Sequence, residues 1–265
     1  MEELLITLAP IASSQKSDTP LDPAAIAQEV AECYELGANI VHLHLIDEHG
    51  QPTGDTGWFQ ETVHQIKALC PIIIEGSTAG DSRASRERRS KHLSVKGVEM
   101  ASLNCGSCNF RDSVYINTPD DIQYWAETMS AANIKPNLVA FDLGMINNAV
   151  TLKQRGLLTD PLHFTLVLGV PGAVPASPNH LSALTNLLPS GSVWTTAVAD
   201  SSVYWRLLGI AIATGGHVRT GLEDWSDATG QISNLELVRS TVRLAQQMNR
   251  PIATNAQARK FLGLE

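Results

Sequence analysis

Short apolar runs that alternate with longer segments of helical spacing predict an α/β protein with the (β/α)8, or TIM, barrel fold. Eight such runs occur in the 265 residues, and parallel strands joined by helical crossovers close on themselves at eight. The alternative is an open, doubly wound sheet, but no G-x-G-x-x-G follows the first predicted strand. No linker or low-complexity tract divides the chain, so we expect a single barrel domain over residues 1–265.

The predicted elements alternate in order along the chain. The strands, rich in Val, Ile and Leu, are residues 4–10, 39–45, 71–77, 100–105, 136–141, 163–169, 192–198 and 217–223. Between them lie helical segments such as residues 23–36, 56–69, 118–132, 178–188, 201–213 and 234–248. Two helices have clear start signals, because Thr118-Pro119 and Ser177-Pro178 each put a capping hydroxyl before a proline at the first helical position.

The charge balance argues against nucleic acid as a general partner. The formal net charge is -8, so there is no basic excess to neutralise phosphates. One local basic cluster is an exception, and it is either a solvated helix face or a phosphate contact. It consists of Arg83, Arg86, Arg88, Arg89 and Lys91.

The sequence predicts neither a secretion signal nor a membrane segment. The apolar run within residues 1–7 is too short for a signal peptide, and no later run of about 20 apolar residues occurs. We therefore expect a cytoplasmic protein without a membrane partner. In a reducing compartment the four cysteines are expected to be ordinary thiols, including the C-x-x-C pair Cys105 and Cys108, which lacks the second pair of a structural zinc site.

His42 and His44 are the strongest indication of chemistry in the sequence. They are separated by one residue in an apolar strand, so both imidazoles should lie on one face, about 6.5 Å apart along the backbone. A strand built from Ile, Val and Leu has little reason to carry two polar rings on one face unless something satisfies both. The pattern favours a metal site, and the alternative is that each ring forms a hydrogen bond within the core.

Glu223 and Asp224 close the last predicted strand, and the carboxyl ends of barrel strands are where active sites form. Glu223 would be a third ligand that leaves a fourth position open for water or substrate. Arg219, on the same predicted strand, would hold Asp224 poised as a base. The alternatives are a helix-capping acid pair and a structural salt bridge.

Other strand ends carry polar residues or a flexible loop. The polar candidates are Glu75 and Ser77 on the third predicted strand and Ser102 and Asn104 on the fourth. The segment 168–177 after the sixth strand is rich in glycine and proline, and it ends at a helix N-terminus whose N–H groups can receive phosphate.

Taken together, these segments resemble the β-keto acid cleavage enzyme family, from the first predicted strand to residue 254. The carriers are GANIVHLH at 37–44, GSTAG at 76–80, LNCGS at 103–107, LGVPG at 168–172 and GGHVRTGLED at 215–224. The resemblance implies a zinc-dependent (β/α)8 enzyme that converts a β-keto acid and acetyl-CoA into acetoacetate and a new acyl-CoA. It also implies a homo-oligomer, for which we expect a tetramer.

By motif position, the resemblance implies roles for individual residues. His42, His44 and Glu223 would be the ligands of one zinc ion per chain, and Asp224 would be the base, oriented by Arg219. Ser77 and Ser102 would line the substrate pocket. The residues that would lie toward CoA are Gly169, Val170, Pro171 and Gly172.

Two positions depart from the family member that cleaves 3-keto-5-aminohexanoate. That enzyme has glutamates that suit an ammonium group, where this sequence has Ser14 and Val139. Because a cationic substrate would lose these counter-charges, we expect a neutral or apolar acyl tail.

Three other functions stay open. Metal-dependent hydrolases also place H-x-H on a barrel strand, but they need further histidines at later strand ends, whereas His163 and His217 begin their strands and His180 lies in a helix. A divalent-metal lyase of the hydroxymethylglutaryl-CoA lyase type would not need acetyl-CoA. An inactive barrel that only binds an acyl-CoA or a partner protein would contain no metal.

Overall fold

The protein folds into a closed barrel of parallel strands. The computed structural model describes residues 2–12, 19–225 and 232–264. The barrel strands are β1 (Ile6–Leu8), β2 (Ile40–His44), β3 (Ile73–Ser77), β4 (Val98–Asn104), β7 (Lys135–Ala140), β8 (His163–Leu168), β9 (Val193–Val198) and β10 (His217–Thr220). Around the barrel they follow the order β1-β10-β9-β8-β7-β4-β3-β2, and each pairs in parallel with its neighbours. The predicted (β/α)8 architecture is confirmed.

Helices cover the outside of the barrel. They are α1 (Pro23–Leu36), α2 (Gly57–Leu69), α3 (Arg86–Arg89), α4 (Pro119–Ala131), α5 (Leu143–Gln154), α6 (Pro178–Thr185), α7 (Tyr204–Ala213), α8 (Asn234–Gln247) and α9 (Asn255–Leu262). Thr118 and Ser177 cap α4 and α6 as predicted, since their side chains accept hydrogen bonds from the backbone N–H groups of Asp121 and His180. Among the described residues, none of these helices has the length and apolar character needed to span a bilayer.

Several elements differ from the predictions. The sequence did not predict α3, α5, α9 or an antiparallel hairpin made of β5 (Cys108–Phe110) and β6 (Ser113–Tyr115). The last strand was predicted to reach residue 223, but β10 ends at Thr220. Gly221 then starts a turn, because its carbonyl oxygen accepts hydrogen bonds from the N–H groups of Asp224 and Trp225.

The C-terminal helix α9 closes the amino end of the barrel. Its Ala258 and Leu262 pack in one cluster with residues at the lower end of the barrel interior, which are Leu5, Ile40, Ile73 and Met100. Above this apolar layer the barrel interior is polar, with buried Glu75 in contact with both His42 and Asn137. The carboxyl ends of the strands lie at the opposite end from α9, and this is where (β/α)8 enzymes carry their sites.

Candidate metal centre and active site

His42 and His44 lie side by side at the carboxyl end of β2. Both are buried, and their ring centroids are 4.9 Å apart in an edge-to-face arrangement. The alternation of side chains along β2 thus places both rings in the barrel interior, as the sequence predicts.

A turn after β10 brings Glu223 to the two histidines. Gly221 has a φ of +145°, and a Cβ at this position would overlap the carbonyl oxygen of Ala9. Only glycine allows this close approach of the backbone to the strand next to it. The N–H of Glu223 then donates to the same Ala9 oxygen at 3.1 Å, which fixes the start of the side chain.

The three side chains form a group that can hold a metal ion. One ligand atom from each of His42, His44 and Glu223 lies within 4.8 Å of the others. Glu223 Oε1 is 3.1 Å from His44 Nε2, and Glu223 Oε2 is 4.0 Å from His42 Nε2.

The donor atoms in this group are buried without hydrogen-bond partners among the described residues. This holds for Oε2 of Glu223 and Nδ1 of His44, whereas His44 Nε2 has only the ion-pair contact to Glu223 Oε1 at 3.1 Å. Such burial costs free energy unless another group satisfies the atoms. Two imidazoles and one carboxylate also match the ligand set of catalytic zinc sites. The residues present therefore fit a divalent metal ion.

Arg219 pairs with both acidic residues of the turn. Its Nε donates to Asp224 Oδ2 at 2.7 Å and its Nη2 to Asp224 Oδ1, while Nη2 also donates to Glu223 Oε1 at 3.0 Å. This two-point contact fixes the plane of the Asp224 carboxylate beside the three candidate ligands.

The two neighbouring carboxylates have different electrostatic surroundings. Burial raises the pKa of Asp224, and Arg219 offsets only part of that effect. Burial also acts on Glu223, but Arg219, His44 and His42 hold the pKa of that carboxyl well below its usual range. Glu223 is thus the more stable anion, which suits a ligand, and Asp224 is the more basic group.

A chain of hydrogen bonds extends from His42 into the barrel. Its Nδ1 is 2.6 Å from Glu75 Oε1, and Glu75 Oε2 accepts from Asn137 Nδ2 at 2.8 Å. Asn137 Oδ1 accepts in turn from Thr165 Oγ1 at 2.9 Å. Although burial alone would raise the pKa of Glu75, the hydrogen bond from His42 lowers it.

Glu75 has no role among the sequence-based predictions, and Asn137 and Thr165 do not appear in them. The available signal was a charged residue within the otherwise buried segment Ile73–Ser77.

Ser77 and Ser102 lie together on the neighbouring strands β3 and β4. Their hydroxyl oxygens are 3.4 Å apart, and Ser102 Oγ accepts from the N–H of Thr78 at 3.1 Å. Ser77 is the register partner of His44 on β2. Asn104 belongs to the same wall, since its Nδ2 donates to Thr78 Oγ1 at 3.2 Å. Hydroxyl and amide groups therefore border the candidate metal centre on one side.

Of the two positions predicted to select the acyl tail, Val139 is among the described residues and Ser14 is not. Val139 is buried on β7 and pairs in register with Asn104 and Thr165 on the flanking strands. It is two residues beyond Asn137 on the same face, toward the carboxyl end. Ser14 lies outside the described residues.

The loop that follows β8 packs on the hairpin. The carbonyl oxygen of Pro171 accepts from the N–H of Arg111 at 2.8 Å, and Gly172 has a φ of +93° directly against Asn109. Gly169 also has a positive φ, of +89°, and Val170 is buried. The loop and the hairpin thus form one rim at the carboxyl end of the barrel.

Three other features noted in the sequence can be located in the structure. Arg89, from the basic cluster, is neither a solvated nor a phosphate-facing residue: it is buried and donates to the carbonyl oxygens of Thr78 and Ile116. The thiols of Cys105 and Cys108 are free, and burial raises their pKa to about 12 and about 11. His163 and His217 begin β8 and β10, at the end of the barrel opposite His44.

Polar groups that converge at the carboxyl ends of parallel barrel strands are typical of (β/α)8 enzymes, and this is the class that the fold and the site define. The family described as beta-keto acid cleavage enzyme matches residues 3–264, and the chain belongs to this family.

Characterised relatives match along nearly the whole chain. A 3-keto-5-aminohexanoate cleavage enzyme from Acetoanaerobium sticklandii is 36% identical, over 100% of this chain and 99% of its own. A 3-oxoadipate:acetyl-CoA acetyltransferase from Cupriavidus necator is 37% identical, over 94% of this chain and 90% of its own.

A solved structure supports the fold. It is described as a ternary complex of ObcA with C4-CoA adduct and oxalate, and it superposes with a TM-score of 0.75. The match covers 92% of this chain and 67% of the other, at 21% sequence identity.

Proposed function

We propose that this protein cleaves a β-keto acid with acetyl-CoA, releasing acetoacetate and a new acyl-CoA. The proposal rests on family membership and on relatives whose names specify β-keto acid substrates and acetyl-CoA. The observation that carries it is the Asp224 carboxylate, held at two points by Arg219 beside His42, His44 and Glu223.

We infer that the bound metal is zinc and that His42, His44 and Glu223 hold one ion per chain. The mixed set of two nitrogens and a carboxylate oxygen, with no further protein ligand among the described residues, supports this choice. When bound, the ion supplies a Lewis acid for the ketone oxygen of the substrate.

In this mechanism Asp224 removes a proton from the CH2 group between the ketone and the carboxylate. The raised pKa of Asp224 makes it a stronger base than an exposed aspartate, and Arg219 keeps its carboxylate directed at one place. The resulting carbon nucleophile bonds to the acetyl carbonyl carbon of acetyl-CoA, and the CoA thiolate leaves.

The second half of the reaction restores the base. The CoA thiolate attacks the original ketone carbon, and the bond from that carbon to the former CH2 carbon breaks. The departing acetoacetate carbanion takes the proton back from Asp224. One β-keto acid and one acetyl-CoA thus give one acetoacetate and one acyl-CoA, with no other reactant.

The surroundings of the site support assignments for both substrates. We propose that Ser77 and Ser102 bind the carboxylate of the keto acid, because Ser77 is the register partner of His44 and the Ser102 hydroxyl lies 3.4 Å from that of Ser77. The buried methyl groups of Val139 favour a neutral or apolar tail, and Ser14 adds no charge. The loop of Gly169, Val170, Pro171 and Gly172 would lie toward CoA.

A mass-spectrometric assay of the purified, metal-analysed protein tests the proposal. Acetyl-CoA is mixed separately with 3-oxohexanoate, 3-oxoadipate and 3-keto-5-aminohexanoate, and acetoacetate and acyl-CoA are followed together. We expect both products in equal amounts, with the neutral substrate best.

Each other outcome of the assay rejects a defined part of the proposal. Preference for the amino substrate or for 3-oxoadipate, which both have a charged tail, would reject the proposed tail but not the reaction. Cleavage without acetyl-CoA would replace the transferase by a lyase. The absence of products from all three substrates, with zinc bound, would reject the proposed function for these tails.

We further propose that the protein is cytoplasmic and forms a homotetramer. The homotetramer rests on the family resemblance, since the exposed leucines Leu69 on α2 and Leu143 on α5 are single surface residues. Light scattering coupled to gel filtration measures the mass directly. A monomer mass of 28.6 kDa would reject the oligomer.

A further inference from the structure

Glu75 lies at the centre of a hydrogen-bond chain that crosses the barrel. Its Oε1 is 2.6 Å from His42 Nδ1, and its Oε2 accepts from Asn137 Nδ2 at 2.8 Å. Because only 1% of the residue is exposed, water does not compete for either oxygen. Each carboxylate oxygen therefore has one defined protein partner.

This contact determines which nitrogen of His42 carries the proton. An ionised carboxylate only accepts hydrogen bonds, so Nδ1 of a neutral His42 must be the protonated nitrogen. The lone pair is then on Nε2, and that atom faces Glu223 Oε2 at 4.0 Å. The ring thus presents its donor nitrogen to the space that it shares with Glu223 and His44.

The acceptor itself is held in place. Asn137 Oδ1 accepts from Thr165 Oγ1 at 2.9 Å, so the chain joins side chains on β2, β3, β7 and β8. Each of these side chains is attached to a strand of the closed barrel, so their backbone positions are fixed. Rotation of the Glu75 side chain away from its partners would leave buried polar atoms without hydrogen bonds.

His44 has no comparable support. It is also buried, but its Nδ1 has no hydrogen-bond partner among the described residues. The two histidines are therefore unequal, and only His42 has a carboxylate behind it.

We propose that Glu75 is a positioning residue, whose carboxylate fixes the tautomer and the direction of the His42 ring so that Nε2 faces the metal centre. This inference rests on the proposed zinc site but not on the identity of the substrates. Carboxylates that accept from a ligating histidine commonly contribute a factor of 10 to 100 in metal affinity.

The first experiment measures the zinc affinity of Glu75→Gln by competition with a chromogenic chelator, without substrate. Glutamine has nearly the same shape, and its oxygen can accept from Asn137 Nδ2, so the barrel should fold. Its NH2 group then faces His42 Nδ1, and the ring loses the acceptor that fixes its tautomer. We expect a 10- to 100-fold weaker Kd for zinc. Thermal unfolding of the metal-free proteins verifies that the variant is folded.

Thr195→Val is the matched control. Thr195 is also buried inside the barrel, but its hydroxyl bonds to His163 Nε2 at 3.0 Å and not to the chain behind His42. We expect its zinc affinity to equal that of the wild type. A Glu75→Gln protein within threefold of the wild type, or an equal loss in Thr195→Val, would overturn the positioning role.

A second measurement needs no variant. Nitrogen NMR of the zinc-loaded wild type, labelled at histidine, identifies which ring nitrogen of His42 is protonated. We expect a protonated Nδ1 and zinc at Nε2. Zinc at Nδ1, or a wild type that binds no zinc, would overturn the inference, whereas missing acyl-CoA product would count against the proposed function alone.

Discussion

At the scale of single residues, the site assigns different tasks to two adjacent carboxylates. Glu223 points between His42 and His44, whereas Asp224 turns to Arg219 and is held there at two points. The turn begun by Gly221 makes this arrangement possible. In a continuing strand, consecutive side chains point to opposite faces, so either Glu223 or Asp224 would lie outside the barrel.

Replacement of Asp224 by asparagine should separate metal binding from turnover. Asparagine keeps the size of the side chain but cannot act as a base near neutral pH. We expect full zinc content and a loss of about 10²- to 10⁴-fold in kcat. Elemental analysis and the acyl-CoA assay on the same sample check both values. Near-normal turnover would show that another group takes the proton.

Replacement of His42 by alanine should remove metal and activity together. The change deletes one of three candidate ligands and leaves Glu75 without its hydrogen-bond donor. We expect less than one zinc ion in ten chains after dialysis, and a parallel loss of product. His64→Gln, at an exposed site on α2, is the control that should retain both. A His42→Ala protein with full zinc content would contradict the ligand assignment.

Functional residues can be found in the sequence when their neighbours along the chain identify them. They cannot be found in this way when the identifying contact is with a residue far away in the sequence. His42 and His44 are recognisable because a period of two and an apolar strand define one face. The partner of Glu75 is not, since Asn137 lies 62 positions away and meets it only across the closed barrel. Glu223 was a candidate third ligand because of its place near a predicted strand end, and it lies beside both histidines although β10 ends earlier, at Thr220.

At the scale of elements, regular strands and helices were easier to predict than the rim. The eight barrel strands follow from apolar runs. The hairpin of β5 and β6 has only three residues in each strand, too few for a periodic signal. The helix α5 was missed because its sequence, LGMINNAVTLKQ, contains Gly, two Asn and Thr, which weaken helical propensity.

The rim predicts a difference between two glycine substitutions. Gly172 and Gly156 both have a positive φ, of +93° and +77°, but an added Cβ at Gly172 would come within 2.8 Å of Asn109 Cβ, and at Gly156 it meets nothing within 4 Å. Gly156→Ala should cost about 1 to 2 kcal/mol of unfolding free energy from backbone strain. Gly172→Ala should cost a further 1 to 3 kcal/mol, roughly, because the hairpin must move.

Urea unfolding of the two variants measures these costs. If the loop lies toward CoA, Gly172→Ala should also raise KM for acetyl-CoA severalfold, whereas Gly156→Ala should leave it unchanged. Equal losses of unfolding free energy in both variants would show that the hairpin moves away from the added Cβ at no cost in free energy. An unchanged KM in Gly172→Ala would count against the proposed position of CoA.

At the scale of the whole molecule, the barrel is polar where the site lies and apolar where α9 seals it. Two buried histidines stand near the boundary, at the starts of β8 and β10. His163 bonds to Thr195, and His217 accepts from the N–H of Leu5 and stacks on Phe261 of α9. That one domain extends over all 265 residues stays a prediction.

These histidines predict that the fold loses stability in mild acid. Burial lowers the pKa of His163 to about 4, with Glu75 opposing and Lys135 adding to the effect. Burial and the nearby Arg250 lower the pKa of His217 to about 3. Both start from an ordinary value of 6.5, so the unfolded chain binds their protons first as the pH falls. The stability that they contribute is fully present above about pH 6.5 and decreases as the pH falls below that value.

The contribution of His163 can be isolated by comparing slopes. As the pH falls from the unfolded pKa of 6.5 to the folded pKa of about 4, His163 should lower the unfolding free energy by up to about 1.4 kcal/mol per pH unit. His163→Gln removes this term and keeps a polar partner for Thr195. Urea unfolding across that window should therefore give a shallower slope for His163→Gln than for the wild type, whereas the exposed His64→Gln should match the wild type. Equal slopes in all three proteins would mean that His163 becomes protonated in the folded barrel as readily as in the unfolded chain.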